Sequence, residues 1–176
     1  MKINAKTTRE ELAAIIVKKL SEHKIDAVLV GGSVVSIYTN NKYVSNDLDF
    51  ISAADHRKIK ESMSELGFTA EGKDFIHKDS SFTVEFPTGP LAIGDDLPVV
   101  PEGKMKVAGV TIKMFSPTQS VMDRLTWFYF SNDRQCLDQA LMIAEKHPIN
   151  MDQVRAWSLR ENQEEKFNVF LKRLKA

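Results

Sequence analysis

Two acidic residues that stand two positions apart, Asp47 and Asp49, point most directly to chemistry in this 176-residue chain. They alternate with Leu48 and Phe50, which predicts a β-strand with both carboxylates on one face and both apolar side chains on the other. Glu85 lies in a second alternating segment, whose apolar residues must point to the core. If the two strands are neighbours, the three carboxylates meet on one face of a sheet.

Three carboxylates in one place repel one another unless a cation lies between them. Hard divalent cations such as Mg²⁺ or Mn²⁺ take oxygen ligands, and Mg²⁺ commonly combines one or two carboxylates with substrate phosphates. Two such ions would stabilise the attacking and leaving oxygens of a phosphoryl displacement. The sequence therefore predicts that Asp47, Asp49 and Glu85 form a catalytic metal site.

A second feature, Gly31-Gly32-Ser33, follows a short apolar strand and opens a helix. Helix starts present unpaired backbone N–H groups and a partial positive charge, which favour phosphate. Glycine lets the backbone approach an anion closely, and the Ser33 hydroxyl adds a donor. A phosphate site next to a metal site is what a nucleoside triphosphate requires.

Each feature alone also has a structural explanation. An Asp-x-Asp pair is common on a solvated strand face, a Gly-Gly-Ser segment is often only a turn, and Glu85 by itself is typical of a surface residue. The combination in this order, within a strand–turn–helix–strand context, favours a functional site.

The segment from Val30 to Ser33, followed after 13 residues by Asp47-Leu48-Asp49, resembles the signature of the nucleotidyltransferase superfamily typified by DNA polymerase beta. Thr83 to Phe86 resembles the strand with the family's third carboxylate, although Glu85 replaces the commoner Asp. The resemblance covers about 30–86. The small size is similar to a minimal bacterial branch that includes antibiotic nucleotidyltransferases and those of toxin–antitoxin pairs.

This resemblance implies roles for individual residues. Gly31, Gly32 and Ser33 would bind the triphosphate, Asp47 and Asp49 would bind both metal ions, and Glu85 would bind one metal and help activate the attacking hydroxyl. In that branch a basic residue on the first helix of the tail contacts the triphosphate, and Arg124 is the best candidate. A purely structural ion pair is an equally good explanation of Arg124. No basic residue adjoins the glycine turn itself, and Lys42 in the nearby loop is typical of a solvated side chain.

Hydrophobic periodicity and capping residues predict the elements that must position these groups. Predicted strands lie at 27–30, 48–51, 75–77, 82–86 and, as a hairpin, within 105–115; predicted helices lie at 8–23, 33–38, 55–66, 117–130, 133–146, 151–158 and 162–174. The fold class is α/β (α+β), with a small mixed sheet and flanking helices over residues 1–115 and an all-helical segment over residues 116–176. The aromatic run 127–130 is interpreted as core and domain contact rather than as a surface for base stacking.

Composition excludes several classes of protein. The formal net charge is zero, with 24 basic and 24 acidic residues, so an extended nucleic-acid surface is not expected. One cysteine, Cys136, cannot form an internal disulfide. We expect a cytoplasmic protein without a membrane contact, because no apolar stretch has the length of a signal peptide or a spanning helix.

Two functions remain open at this stage. The first is a metal-dependent, ATP-binding or other NTP-binding nucleotidyltransferase that modifies a hydroxyl of a small molecule, an RNA or a protein. The alternative is a catalytically silent module that binds a protein partner through its helical tail, for example as one half of a toxin–antitoxin pair. A dinucleotide-binding fold is disfavoured, because Gly-x-Gly-x-x-Gly is absent from the sequence.

Overall fold

Seven strands form one mixed sheet in the computed structural model of the protein, which describes residues 2–176. The strands are β1 (Val28–Val30), β2 (Asp47–Ile51), β3 (Thr69–Glu71), β4 (Asp74–Ile76), β5 (Thr83–Glu85), β6 (Gly103–Val107) and β7 (Val110–Met114). The helices are α1 (Arg9–Glu22), α2 (Gly31–Tyr38), α3 (His56–Glu65), α4 (Pro117–Ser131), α5 (Arg134–Lys146), α6 (Met151–Arg160) and α7 (Glu164–Leu174). The predicted mixed α/β fold class is confirmed.

The centre of the sheet brings together strands that are distant in the sequence. The strand order is β3-β4-β5-β2-β1-β7-β6, in which β1 is antiparallel to β2 and parallel to β7. β2 is parallel to β5, so the two acidic strands are neighbours. The hairpins β3-β4 and β6-β7 form the two edges of the sheet.

Apolar side chains form two clusters that share the short helix α2. One cluster lies between the sheet and the helices α1 and α3. The other lies among the helices α4, α5, α6 and α7. Val34 belongs to the first cluster and Val35 to the second, so α2 connects the two halves of the chain. Burial of each large apolar side chain contributes roughly 1.5–3 kcal/mol, which makes these clusters the main source of stability. The division into residues 1–115 and 116–176 stays a prediction.

Three helices begin with the capping residues that the sequence predicts. Thr8 with Glu11 and Ser116 with Gln119 each form a complete capping box. The side chain of Asn150 accepts a hydrogen bond from the backbone at the start of α6. These local signals are readable because each satisfies backbone N–H groups within one turn.

One strand was missed, and several elements begin or end one or two residues away from the prediction. β3 was missed, because its three residues carry no apolar alternation and the strand forms only through pairing with β4. α2 begins at Gly31, two residues before the predicted start. Within residues 2–176, no helix is both long enough and apolar enough to cross a bilayer.

Candidate active site

The acidic residues of β2 and β5 lie on one polar face of the sheet. Asp49 is opposite Glu85 in the parallel register, and Asp47 is opposite Thr83. Leu48 between the two aspartates is fully buried, whereas Asp47 is exposed and Asp49 is half-buried. Neighbouring strands are about 4.8 Å apart, so the backbones of Asp49 and Glu85 are adjacent. The structure thus brings all three predicted carboxylates to the same face.

Gly31, where β1 ends and α2 begins, lies directly against Asp49. Its φ of +72° is in the left-handed region, which favours glycine. A Cβ atom on Gly31 would lie 2.6 Å from Oδ2 of Asp49, closer than any van der Waals contact. Gly32 is nearly as confined, since a Cβ there would lie 3.0 Å from Oγ of Ser45. The glycine turn therefore forms the wall against which the Asp49 carboxylate rests.

Replacing Gly31 with alanine is expected to reduce stability and to impair the site. The left-handed conformation costs an L-residue roughly 1–2 kcal/mol, and the new methyl group would displace the Asp49 carboxylate. The matched control is Gly109→Ala, because Gly109 has a φ of +82° but no atom within 4 Å of its added Cβ. Urea denaturation should show a similar loss of stability in both variants, whereas only Gly31→Ala should lose activity. Equal activities in the two variants would contradict a role for the glycine turn.

Ser33, on α2, is hydrogen-bonded to the acidic strand β2. It is fully buried, and its hydroxyl donates a hydrogen bond to the backbone carbonyl of Asp47. The Ser45 hydroxyl donates to the same carbonyl at 3.2 Å, and the Thr83 hydroxyl donates to Oδ1 of Asp47. The Ser33 hydroxyl is thus bonded to β2 in this structure, and its contact with phosphate stays a prediction.

Arg124 on α4 reaches the same site from the helical half of the chain. It is only 9% exposed, and its Nη2 lies 2.6 Å from Oδ2 of Asp123. Nη1 also donates to the side-chain oxygen of Gln139 at 3.4 Å. Burial lowers the pKa of Arg124, but the Asp123 carboxylate outweighs this effect and the net pKa is raised. Arg124 is thus both a structural ion-pair partner and a permanent positive charge facing Asp49.

Glu85 is paired with a lysine from the β3-β4 hairpin. Nζ of Lys73 lies 2.7 Å from Oε1 of Glu85, and this hydrogen bond is the main cause of the raised pKa of Lys73. The Lys73 side chain is 77% exposed, whereas that of Glu85 is 17% exposed. An ion pair with one exposed partner is weak, so Glu85 can exchange Lys73 for another ligand.

Asp49 is the most perturbed carboxylate of the site. Burial raises its pKa, the negative charges of Glu85 and Asp47 raise it further, and the result is about 6 instead of 3.8. Arg124 opposes the shift only in part. A half-buried carboxylate with two like charges beside it is a group that a bound cation would stabilise.

The residues fit a divalent cation in chemical type and in position on the sheet. Oxygen ligands on one face are suited to Mg²⁺ or Mn²⁺, and burial together with the charges of Glu85 and Asp47 raises the pKa of Asp49. Within residues 2–176, however, no three His, Cys, Asp or Glu side chains are grouped closely enough to hold a metal as they stand. The reason is local, because Glu85 is turned to Lys73 and Asp47 to Thr83. Both side chains would exchange these partners on binding a cation.

A cleft of about 420 Å³ opens between the acidic face and α4. Its polar end is formed by Gly31, Asp49, Glu85, Asp123 and Arg124. The rest of its lining is mostly apolar and comes from β1, β2, the segment after β5, and α4; these residues are Val30, Ile51, Pro87, Pro90, Leu91, Ala92, Phe115 and Trp127. The cleft thus has one charged end and apolar walls.

Sequence reasoning missed three residues near this cleft. Lys73 pairs with Glu85 through a hairpin that lacked a strand pattern, so no local signal identified it. Tyr43 lies close to Gly32, and burial raises its pKa; its position depends on the loop between α2 and β2. Trp127 follows Arg124 by three residues, and this helical spacing is the one signal that could have placed it on the cleft.

Lys42 is exposed and contacts Glu145 at 3.5 Å, as expected of a solvated lysine.

Solved structures with the same architecture belong to nucleotidyltransferases and proteins like them. An antigenic nucleotidyltransferase-like protein from Paracoccidioides brasiliensis superposes with a TM-score of 0.64 and 15% identity, over 99% of this chain and 95% of that chain. The chain has a nucleotidyltransferase fold. The crystal structure of ANT(2")-Ia in complex with adenylyl-2"-tobramycin has a TM-score of 0.55 and 15% identity, over 89% of this chain and 97% of that one. The solution structure of the same antibiotic-resistance factor gives a TM-score of 0.51 at 12% identity, over 94% of this chain and 95% of that one.

The sequence itself supports the same relation over its first half. Residues 8–75 match the family described as "nucleotidyl transferase of unknown function (DUF2204)". This match includes the glycine turn and the two aspartates of β2, but ends before Glu85. No curated protein matches the chain. The resemblance to nucleotidyltransferases, drawn above from the motif, is confirmed by the family match and by the fold.

Proposed function

We propose that this protein is a metal-dependent nucleotidyltransferase, which moves a nucleoside monophosphate from a nucleoside triphosphate to an acceptor hydroxyl. The observation that carries the proposal is the position of Asp49, which faces Glu85 and packs against Gly31 at the start of α2. Carboxylates suited to a cation thus adjoin a helix start suited to phosphate. The nucleotidyltransferase fold supports the same activity.

Substrate binding would use both ends of this arrangement. The phosphates would lie against the backbone at Gly31 and Gly32, with the guanidinium of Arg124 on the opposite side of the cleft. Asp47, Asp49 and Glu85 would hold Mg²⁺ or Mn²⁺. When bound, the cation would neutralise charge that develops on the phosphate oxygens.

The chain's own residues would then position the reaction. The acceptor hydroxyl attacks the α-phosphorus, a new oxygen–phosphorus bond forms, and the bond from the α-phosphorus to the bridging oxygen breaks. Pyrophosphate leaves with that electron pair, while Glu85 orients the hydroxyl and accepts its proton. Arg124 offsets the negative charge on the departing phosphates. Most of the rate enhancement would come from positioning and charge neutralisation.

Transfer of label from nucleoside triphosphates tests this proposal. The protein is incubated with Mg²⁺, cell extract and each of the four triphosphates, labelled on the α-phosphate or on the γ-phosphate. We expect α-label to appear in one fraction, and γ-label to appear only in pyrophosphate. The labelled fraction (RNA, protein or small molecule) identifies the class of acceptor. Transfer of γ-label to the acceptor would indicate phosphoryl transfer instead and would contradict the proposal.

Thermal stability distinguishes the enzyme from a silent interaction module. A triphosphate with Mg²⁺ should raise the melting temperature of the wild-type protein, since a ligand that binds only the folded state stabilises it. The same mixture with EDTA should give a smaller shift. Absence of any shift and of any label transfer would favour the alternative function, a module that binds a protein partner through its helical tail.

A further inference from the structure

Trp127 is an exposed aromatic residue at the wall of the active cleft. Its side chain is 52% exposed, although Phe128 and Tyr129, which follow it, are almost fully buried. The residues of the aromatic run therefore lie in two environments. Phe128 and Tyr129 pack in the core, whereas Trp127 is exposed to solvent and lines the cleft. A large exposed apolar side chain beside a binding site is a candidate ligand contact.

The helix places Trp127 one turn away from the phosphate end of the cleft. Asp123, Arg124 and Trp127 are separated by three and four positions on α4, so they share one helix face. All three line the cleft. Along this face a buried positive charge is followed, about 4.5 Å farther along the helix axis, by an exposed indole.

A loop held by hydrogen bonds supplies part of the apolar lining of the cleft. Pro90 and Leu91 line the cleft, and the carbonyl of Leu91 accepts a hydrogen bond from the backbone N–H of Val99 at 2.8 Å. Farther along, the backbone N–H of Asp95 donates to Oε1 of Glu161 at 2.9 Å, which attaches the loop to the end of α6. This part of the lining is therefore fixed by both local and long-range hydrogen bonds.

We propose that Trp127 is the stacking platform for the nucleobase of the triphosphate, with Pro90 and Leu91 on the other side of the base. The inference rests on the proposed function, since it uses the same cleft and substrate. A nucleotide has a charged end and a planar, weakly polar end, which matches a cleft with Asp49, Glu85 and Arg124 at one end and apolar walls beyond. Because every base has an aromatic face, such a platform binds all four nucleotides and favours the larger purines.

A comparison of ligands with and without a nucleobase isolates the contribution of the base to binding. Tripolyphosphate carries the charged end of the substrate without the base, whereas ATP, GTP, CTP and UTP carry both. Dissociation constants are measured by calorimetry with Mg²⁺ for the wild-type protein and for Trp127→Ala, Trp127→Phe and Phe130→Ala. Phe130 is the matched control, because it is a similarly exposed aromatic residue (56%) three positions farther along α4 and does not line the cleft.

Trp127→Ala should weaken binding of the nucleotides by roughly 5- to 100-fold, while tripolyphosphate binds as in the wild type. Trp127→Phe should restore most of the affinity for nucleotides. Phe130→Ala should leave the affinities for the nucleotides and for tripolyphosphate unchanged. Unchanged nucleotide affinity in Trp127→Ala, or an equal loss for tripolyphosphate, would overturn the platform while leaving the proposed function intact. If the wild-type protein bound neither nucleotides nor tripolyphosphate, the proposed function would fail and this inference with it.

Discussion

Replacing Asp49 with asparagine is expected to lower nucleotidyl transfer by roughly 10²–10⁴-fold while the protein stays folded. Asparagine has nearly the same shape, so it can still rest against Gly31, but it lacks the negative charge that a divalent cation requires. The loss should appear in the rate of α-label transfer. Circular dichroism should show an unchanged helix content, because the Asp49 side chain is not part of either apolar cluster.

Asp74→Asn is the matched control for this substitution. Asp74 is opposite Glu85 on the other neighbour of β5, so it lies on the same sheet face but one strand farther from Gly31. It does not line the cleft, and we expect its replacement to leave activity close to that of the wild type. Full turnover in Asp49→Asn, or an equal loss of activity in both variants, would show that the Asp49 carboxylate has no special role in catalysis.

The core of the site could be predicted because its signals are local. The alternation of Asp47, Leu48 and Asp49 determines which side chains share a face, and no knowledge of distant residues is needed for that step. The glycine turn could be predicted for a similar reason, since a strand followed by two glycines and a helix is legible in a few residues. Only the pairing of β2 with β5 had to be assumed, and the structure shows it.

The remaining parts depend on contacts between distant segments. The Ser33 hydroxyl bonds to Asp47, which is 14 positions away, so the sequence could not indicate that it points to the strand. Lys73 reaches Glu85 because β4 pairs with β5, and no residue type near Lys73 reveals this. The apolar wall of the cleft comes from a loop rich in Pro, Gly and Asp, which has no periodicity to interpret. In each case the partner is set by tertiary packing rather than by local propensity.

For Arg124, a structural and a functional explanation are compatible with each other. The sequence left an ion pair and a nucleotide contact equally open. The structure shows the ion pair with Asp123 and places Arg124 in the lining of the cleft, whereas the nucleotide contact stays a prediction. The Asp123 carboxylate holds the guanidinium in place at 2.6 Å. A fixed cation facing Asp49 also lowers the repulsion among the carboxylates, which connects this residue to the stability of the site.

The same Asp49→Asn variant is expected to be more stable than the wild type at pH 7, by roughly 2–3 kcal/mol. The pKa of Asp49 is raised from 3.8 to about 6 by burial and by the charges of Glu85 and Asp47. The folded state therefore binds a proton more tightly than the unfolded state does, and ionising Asp49 costs stability as the pH rises through this range. Asparagine does not ionise, so the variant avoids that cost.

The pH dependence identifies the cause of this gain. Above about pH 6 nearly the full difference between variant and wild type should be present, and at pH 4 only a small part should remain, because Asp49 is then protonated in the folded state and about half protonated in the unfolded state. Urea denaturation of both proteins at pH 7.5 and at pH 4 measures it. Saturating Mg²⁺ at pH 7.5 should reduce or reverse the difference, since only the wild type keeps all three carboxylates for the cation. A gain of the same size at both pH values would mean that packing, not charge, distinguishes the two side chains, and the electrostatic account of Asp49 would be wrong.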